Sequence, residues 1–107
     1  GHGQYAPFAG TPSLRREVSA YYKKFYNLDY DSDTQVSITV GATEAIYLVI
    51  TALTNPGDEI VVLEPFYDSY VASIKMSGGV PVPVTMHAPD FVVDKAELEK
   101  AITPRTK

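Results

Sequence analysis

From residue 12 to residue 27 the apolar side chains Leu14, Val18, Tyr21, Tyr22 and Phe25 recur at helical spacing, while Arg15, Arg16, Lys23 and Lys24 fall on the other side. That period predicts an amphipathic helix over 12–27, with Pro12 in its first turn and Thr11 as its cap. The polar stretch LDYDSDT follows as a loop. Residues 35–40 are rich in β-branched side chains and predict a strand; residues 44–53 are apolar almost all round and predict a buried helix. Asn55-Pro56-Gly57-Asp58 predicts a turn, because Pro fixes φ and Gly supplies positive φ. The continuous apolar run 60–63, ended by Glu64-Pro65, has the character of a central parallel strand covered on both faces. A short helix over 67–77, stopped by Gly78-Gly79, leads into a strand over 80–86, whose prolines place it near an edge or make it irregular. Asp94 and Glu97 stand at capping-box spacing and open a helix through Ile102. Strand and helix alternate, so the class is α/β with a mostly parallel sheet and flanking helices.

Composition narrows the function. A chain of 107 residues that is 45% hydrophobic has the size and apolar content of one small domain. Its formal charge of -4 supplies no basic field for nucleic acid. No run approaches the roughly 18 apolar residues of a membrane span, and the first residues hold neither a basic region nor a secretory core. The absence of cysteine removes disulfide and thiolate chemistry and suits a reducing compartment. The expectation is a cytoplasmic protein with no nucleic-acid or membrane partner. GHGQYAPFAGTPS opens with no element before it, and AITPRTK ends where a chain is expected to enter another strand. Together they read as a piece of something larger, with an irregular N-terminal arm over 1–11 and a partial domain over 12–107.

Three features carry candidate chemistry. At Gly41-Ala42-Thr43 an apolar strand turns into an apolar helix through small residues. Such a corner lets a phosphate approach the backbone, where the helix N-terminus adds partial positive charge and Thr43 adds a hydroxyl. Three such residues alone more often make only a tight turn with a helix cap, and neither common nucleotide fingerprint is present. The second feature is EPFYDSY, residues 64–70, directly after the second apolar strand, at the carboxyl end where open α/β sheets gather ligands. Tyr67 is the candidate for stacking on a flat ring, with packing against the next helix as the other reading; Tyr70 reads as a packing or hydrogen-bonding residue. The third is the opening stretch, from which Tyr5 projects; taken alone it reads as a surface arm. His2 and His87 have no partner at ligand spacing, so no metal site is expected.

GQYAPFAGTPSLRREVSAYY, VSITVGATEAIYLVITALTNPGDEIVVLEPFYDSY, SGGVPVPV and AITPRTK, in this order and spacing, resemble the large domain of fold-type I pyridoxal-phosphate (PLP) aminotransferases of class I/II. Within that family the chain is most like the branch of the methionine, kynurenine and succinyldiaminopimelate aminotransferases, and nearly all of it is covered. The resemblance implies that 12–107 is part of the PLP-binding large domain, and that the complete protein is a homodimer moving an amino group between an amino acid and a 2-oxo acid. It also implies roles for single residues. Ala42 and Thr43, at the start of the helix that Gly41 introduces, would hold the phosphate of pyridoxal 5'-phosphate through their backbone amides. Tyr67 would stack on its pyridine ring, and Tyr5 would reach the phosphate of the neighbouring subunit's cofactor. The family's Schiff-base lysine, its aspartate on the pyridine nitrogen, its asparagine and tyrosine on the ring oxygen and its arginine for the substrate carboxylate belong to motifs these residues do not contain. Lys23, Lys24, Lys75, Lys95, Lys100 and Lys107 offer no substitute. The piece alone is therefore expected to be inactive and not to bind the cofactor covalently. The competing expectation is a non-catalytic α/β module that binds a phosphate ligand or a partner.

Overall fold

The computed structural model describes residues 5–107. The chain runs through helices α1 (Pro12–Tyr26) and α2 (Gly41–Leu53), strand β1 (Glu59–Glu64), helix α3 (Asp68–Met76), strand β2 (Val80–Thr85) and helix α4 (Lys95–Ala101). It divides into two compact units, Gly1–Val40 and Gly41–Lys107. The first four residues of the expected arm, His2 among them, lie outside the described residues.

In the first unit, α1 starts with Pro12 at a position whose N–H needs no helical partner. It ends at Asn27, whose left-handed φ of 54° lets its N–H close on Lys23 O at 3.1 Å. Thr11 occupies the N-cap position, but its side chain makes no capping bond. Two expectations change here. Leu14, Tyr21, Tyr22 and Phe25 are exposed, whereas Arg15, assigned by the periodicity to the solvated side, is the buried residue of the helix. A guanidinium tolerates burial when its donors are matched, and Arg15 finds three backbone carbonyls (below). Residues 35–40 form no ladder; Ile38 N–H instead donates to Ala9 O at 2.8 Å. Extended backbone becomes a strand only beside a second extended segment, which β-branched composition does not specify.

The second unit is built on a βαβ crossover. β1 and β2 pair in parallel, in register from Glu59↔Val80 to Glu64↔Thr85, with α3 between them. The turn before β1 forms as expected: Asp58 N–H donates to Asn55 O at 3.0 Å, and the Asp58 carboxylate accepts from Asn55 N–H at 2.8 Å. α3 closes in a Schellman arrangement, with Gly78 at φ +80°, Gly78 N–H on Lys75 O at 3.1 Å and Gly79 N–H on Ile74 O at 3.0 Å. Val80 and Met86 donate toward β1, to Asp58 O and Glu64 O. N–H direction alternates along a strand, so Pro81 and Pro83 fall at positions facing away from β1 and no ladder donor is lost. Asp94 caps α4 by accepting from Ala96 N–H at 2.8 Å and Glu97 N–H at 3.2 Å.

Among the described residues Val62, Ile74 and Val84 form the buried apolar core, and of these only Ile74, 1% exposed, is fully enclosed. α2 departs from its expectation, since none of its residues is buried and Leu48, Val49 and Leu53 are exposed. Its sequence is apolar on every side, yet within this unit α3 covers one side only. On the far side of β1, Glu59 bridges to Thr106 in parallel: Glu59 N–H donates to Arg105 O and Lys107 N–H to Glu59 O, both at 2.8 Å.

Candidate functional site

α2 begins at Gly41 with φ +80°, a conformation L side chains rarely adopt, and nothing lies within 4 Å of where a Cβ would stand. Ala42 and Thr43 follow in the first turn, both exposed. The helix begins three residues earlier than the sequence predicts, which puts all three corner residues inside its first turn.

α2 also has a defined direction. It ends at Leu53, a short turn before β1 begins, so its C-terminus sits at the start of β1 and its N-terminus at the strand's carboxyl end. Thirteen helical residues and six extended ones both span about 20 Å. α3 leaves that same carboxyl end to return to the start of β2. The two helices therefore run parallel, and they touch in register. Tyr70 shares an apolar groove with Ala45, Ile46, Val49 and Ile50 along the middle of α2, and the Thr51 and Ser77 hydroxyls lie 3.2 Å apart toward the helix ends. One turn back from Tyr70, toward the start of α3, is Tyr67.

Tyr67 is the N-cap residue of α3, in extended conformation (φ -79°, ψ 133°), and is 62% exposed. Among the described residues its one ring contact is edge-on with Tyr70, centroids 6.2 Å apart. The ring faces are not committed to packing, whereas Tyr70 takes the packing role. This end of the unit thus carries the N-terminus of α2, with space around the Gly41 Cα, and an exposed aromatic face. The residues fit a phosphate ester carrying a flat ring. Among the described residues, no group of three or more His, Cys, Asp and Glu is arranged to hold a metal, and no helix is long and apolar enough to cross a membrane. All six named lysines are exposed.

Tyr5 belongs to the other unit, where its ring is 104% exposed. Two charged clusters escape sequence reading. At the opposite end of β1 from the corner, Arg105 Nε and Nη2 donate to Glu59 Oε1 at 2.9 and 2.6 Å, and Thr103 Oγ1 donates to Oε2 at 2.8 Å. The Arg105 and Thr103 bonds hold the Glu59 carboxyl below its usual range. In the loop after α1, Asp31 Oδ1 accepts from Thr34 N–H and Asp33 N–H, both at 2.9 Å, and from Thr34 Oγ1 at 3.0 Å, which lowers its pKa as well. Both clusters depend on partners that periodicity does not register, one of them dozens of residues away.

The unit thus pairs a helix led by a positive-φ glycine with an exposed aromatic after the carboxyl end of its first strand. The sequence model of the family "aminotransferase class I and II" matches residues 1–107, and the chain belongs to that family. It is 42% identical over 109 residues to the probable N-succinyldiaminopimelate aminotransferase of Mycobacterium tuberculosis, covering 100% of this chain and 28% of that protein. With the methionine aminotransferase of Escherichia coli it shares 38% identity over 107 residues, again 100% of this chain and 28% of the relative. Solved structures agree. A methionine aminotransferase structure from Escherichia coli superimposes with TM-score 0.94 at 38% identity, covering 97% of this chain and 27% of that one. The Mycobacterium tuberculosis N-succinyldiaminopimelate aminotransferase superimposes with TM-score 0.92 at 42% identity, covering 98% and 28%. The chain thus spans about 28% of the length of the curated relatives it matches.

Proposed function

We infer that the complete protein is a pyridoxal 5'-phosphate-dependent aminotransferase that moves an amino group between an amino acid and a 2-oxo acid. The observation that carries this is the corner itself. Gly41, at φ +80° and with nothing within 4 Å of a Cβ built on it, begins α2 at the end of β1 where Tyr67 stands exposed. In this reading the backbone amides of Ala42 and Thr43 hold the cofactor phosphate, with the Thr43 hydroxyl as a further donor and the α2 dipole favouring the negative charge. Tyr67 covers one face of the pyridine ring, fixing its plane and keeping water from that side. The bound cofactor supplies the electron sink that makes the substrate's amino group transferable. Residues 12–107 then contribute the phosphate and ring-stacking part of the large domain. Residues 1–11 form an arm that carries Tyr5 to the neighbouring subunit's cofactor phosphate in a homodimer. The acidic charge and the lack of cysteine accord with a cytoplasmic enzyme that binds neither nucleic acid nor membrane.

Titrating the complete apoprotein with pyridoxal 5'-phosphate, followed by absorbance, tests the reading. Saturable binding is expected, together with amino transfer when an amino acid and a 2-oxo acid are supplied. Thr43→Glu, which sets a carboxylate against the phosphate, should weaken the cofactor by about two powers of ten. Binding unaffected by Thr43→Glu would remove the corner from the cofactor site. A protein that takes up inorganic phosphate but neither the cofactor nor an amino group would be a phosphate-binding module instead.

A further inference from the structure

Arg15 is 8% exposed, and its side chain joins two segments far apart in sequence. Nε donates to Gly10 O at 3.2 Å, while Nη1 donates to Ser32 O at 3.0 Å and Asp33 O at 3.3 Å. One guanidinium therefore fastens the base of the N-terminal arm to the loop after α1. The same base is held from a second direction. Gly10 has φ +93°, and a Cβ there would stand 2.6 Å from Ile38 Cβ, so the arm lies directly on Ile38. Ile38 N–H donates to Ala9 O at 2.8 Å, and Gly10 N–H closes a turn on Pro7 O at 2.9 Å. Residues 7–10 are thus fixed by three hydrogen bonds, from Arg15 to Gly10, from Ile38 to Ala9 and from Gly10 to Pro7, and by the close approach of Gly10 to Ile38.

Tyr5 projects two residues beyond this base. Pro7 restricts its own φ and biases Ala6 toward extended backbone, so little freedom separates the anchored turn from the exposed ring. We propose that Arg15 is a positioning residue for the cofactor site. By clamping the arm's base it sets the direction in which Tyr5 leaves the unit, and so raises the effective concentration of the Tyr5 hydroxyl at the neighbouring subunit's cofactor phosphate. This rests on the reading of Tyr5 as a phosphate ligand in trans. A ligand group on a short, stiff tether meets its target far more often than one on a loose chain, and it loses less freedom on binding. A lysine cannot replace the clamp, because a single ammonium does not reproduce the planar fork that meets carbonyls on two segments.

The test uses the complete protein in four forms: unaltered, Tyr5→Phe, Arg15→Ala and the double variant. Dissociation constants for pyridoxal 5'-phosphate and amide hydrogen exchange at Gly10 and Ile38 are measured on each. Arg15→Ala should speed exchange at both amides and weaken the cofactor about tenfold, while the double variant should bind no more than about twofold worse than Tyr5→Phe alone. Gly10→Ala, which disturbs the same base but keeps Arg15, should reproduce this pattern and guards against a folding defect peculiar to Arg15→Ala. Arg15→Lys should fall between the unaltered protein and Arg15→Ala. Losses that add in the double variant, or unchanged exchange at Gly10 and Ile38, would overturn the proposal. If Tyr5→Phe leaves cofactor affinity intact while exchange still rises in Arg15→Ala, the phosphate role of Tyr5 fails. The clamp on the arm would then stand as a structural tie only, and the positioning proposal would fall with that role.

Discussion

Arg105 meets Glu59 through two donors on one carboxylate oxygen, 2.9 Å from Nε and 2.6 Å from Nη2, across a gap of 46 residues. Thr103 takes the other oxygen, so the start of β1 is tied to the segment around Thr106 by side chains as well as by backbone. The folded pKa of Glu59 is lowered, so the tie contributes fully above the ordinary glutamate value of 4.5 and is lost as pH falls through the lower folded value. Acid titration of the complete protein should therefore show the protection of the Lys107 amide, which donates to Glu59 O, falling only below that ordinary value when exchange is compared with the unstructured rate at each pH. Glu59→Gln should make this amide labile at neutral pH and flatten its pH dependence; a profile identical in both proteins would count against the tie.

Tyr67 acts, in the proposed site, through its ring face. Tyr67→Phe keeps that face and should change cofactor affinity less than threefold, roughly 0.5 kcal/mol. Tyr67→Ala removes it and should weaken binding by about tenfold or more. Equal losses from the two substitutions would point to the hydroxyl.

Tyr5 serves the partner's site in the same reading. Losing a hydrogen bond to a charged group costs about 1.5 to 3 kcal/mol, so Tyr5→Phe should weaken the cofactor by one to two powers of ten. Mixing Tyr5→Phe subunits with subunits lacking the lysine that attaches the cofactor should restore activity, because each hybrid dimer then owns one site with both groups. Hybrids no more active than unmixed Tyr5→Phe protein would place Tyr5 in its own subunit's site.

Two glycines separate backbone strain from crowding. Gly57, at φ +87°, has open space around a built Cβ, whereas at Gly79 a Cβ would lie 2.9 Å from Thr54 Cγ2 and 3.2 Å from Ile74 Cγ2. Gly57→Ala should destabilise by about 1 to 2 kcal/mol through φ alone, and Gly79→Ala by about 1 to 3 kcal/mol through overpacking. Thr54→Ser removes the nearer methyl, so it should recover part of the loss in Gly79→Ala and none of it in Gly57→Ala, read from denaturant midpoints.

Features written into neighbouring residues were legible in the sequence. The Asp94 cap, the Asn55 to Asp58 turn, the Gly78-Gly79 stop and the helix that Gly41 opens all follow from bonds spanning a few residues. Arg15 was not legible, since a helical wheel records polarity but not the carbonyls of Gly10, Ser32 and Asp33 that make burial of a charge tolerable. Residues 35–40 had strand composition, yet a ladder is a property of two segments. For α2, apolarity on all sides announced a need for cover without saying what supplies it.

The prolines of β2 have a consequence for how the sheet can extend. Along the margin turned away from β1, Pro81 and Pro83 present carbonyls without N–H groups, so an approaching strand finds acceptors but no donors across the middle of β2. Recruitment of a stray chain, the step that starts β-aggregation, is discouraged on that side. The margin of β1 beyond Glu59 carries no proline and already exchanges bonds with Arg105 and Lys107. Further strands are thus directed to one side only, and the sheet has a built-in direction of growth.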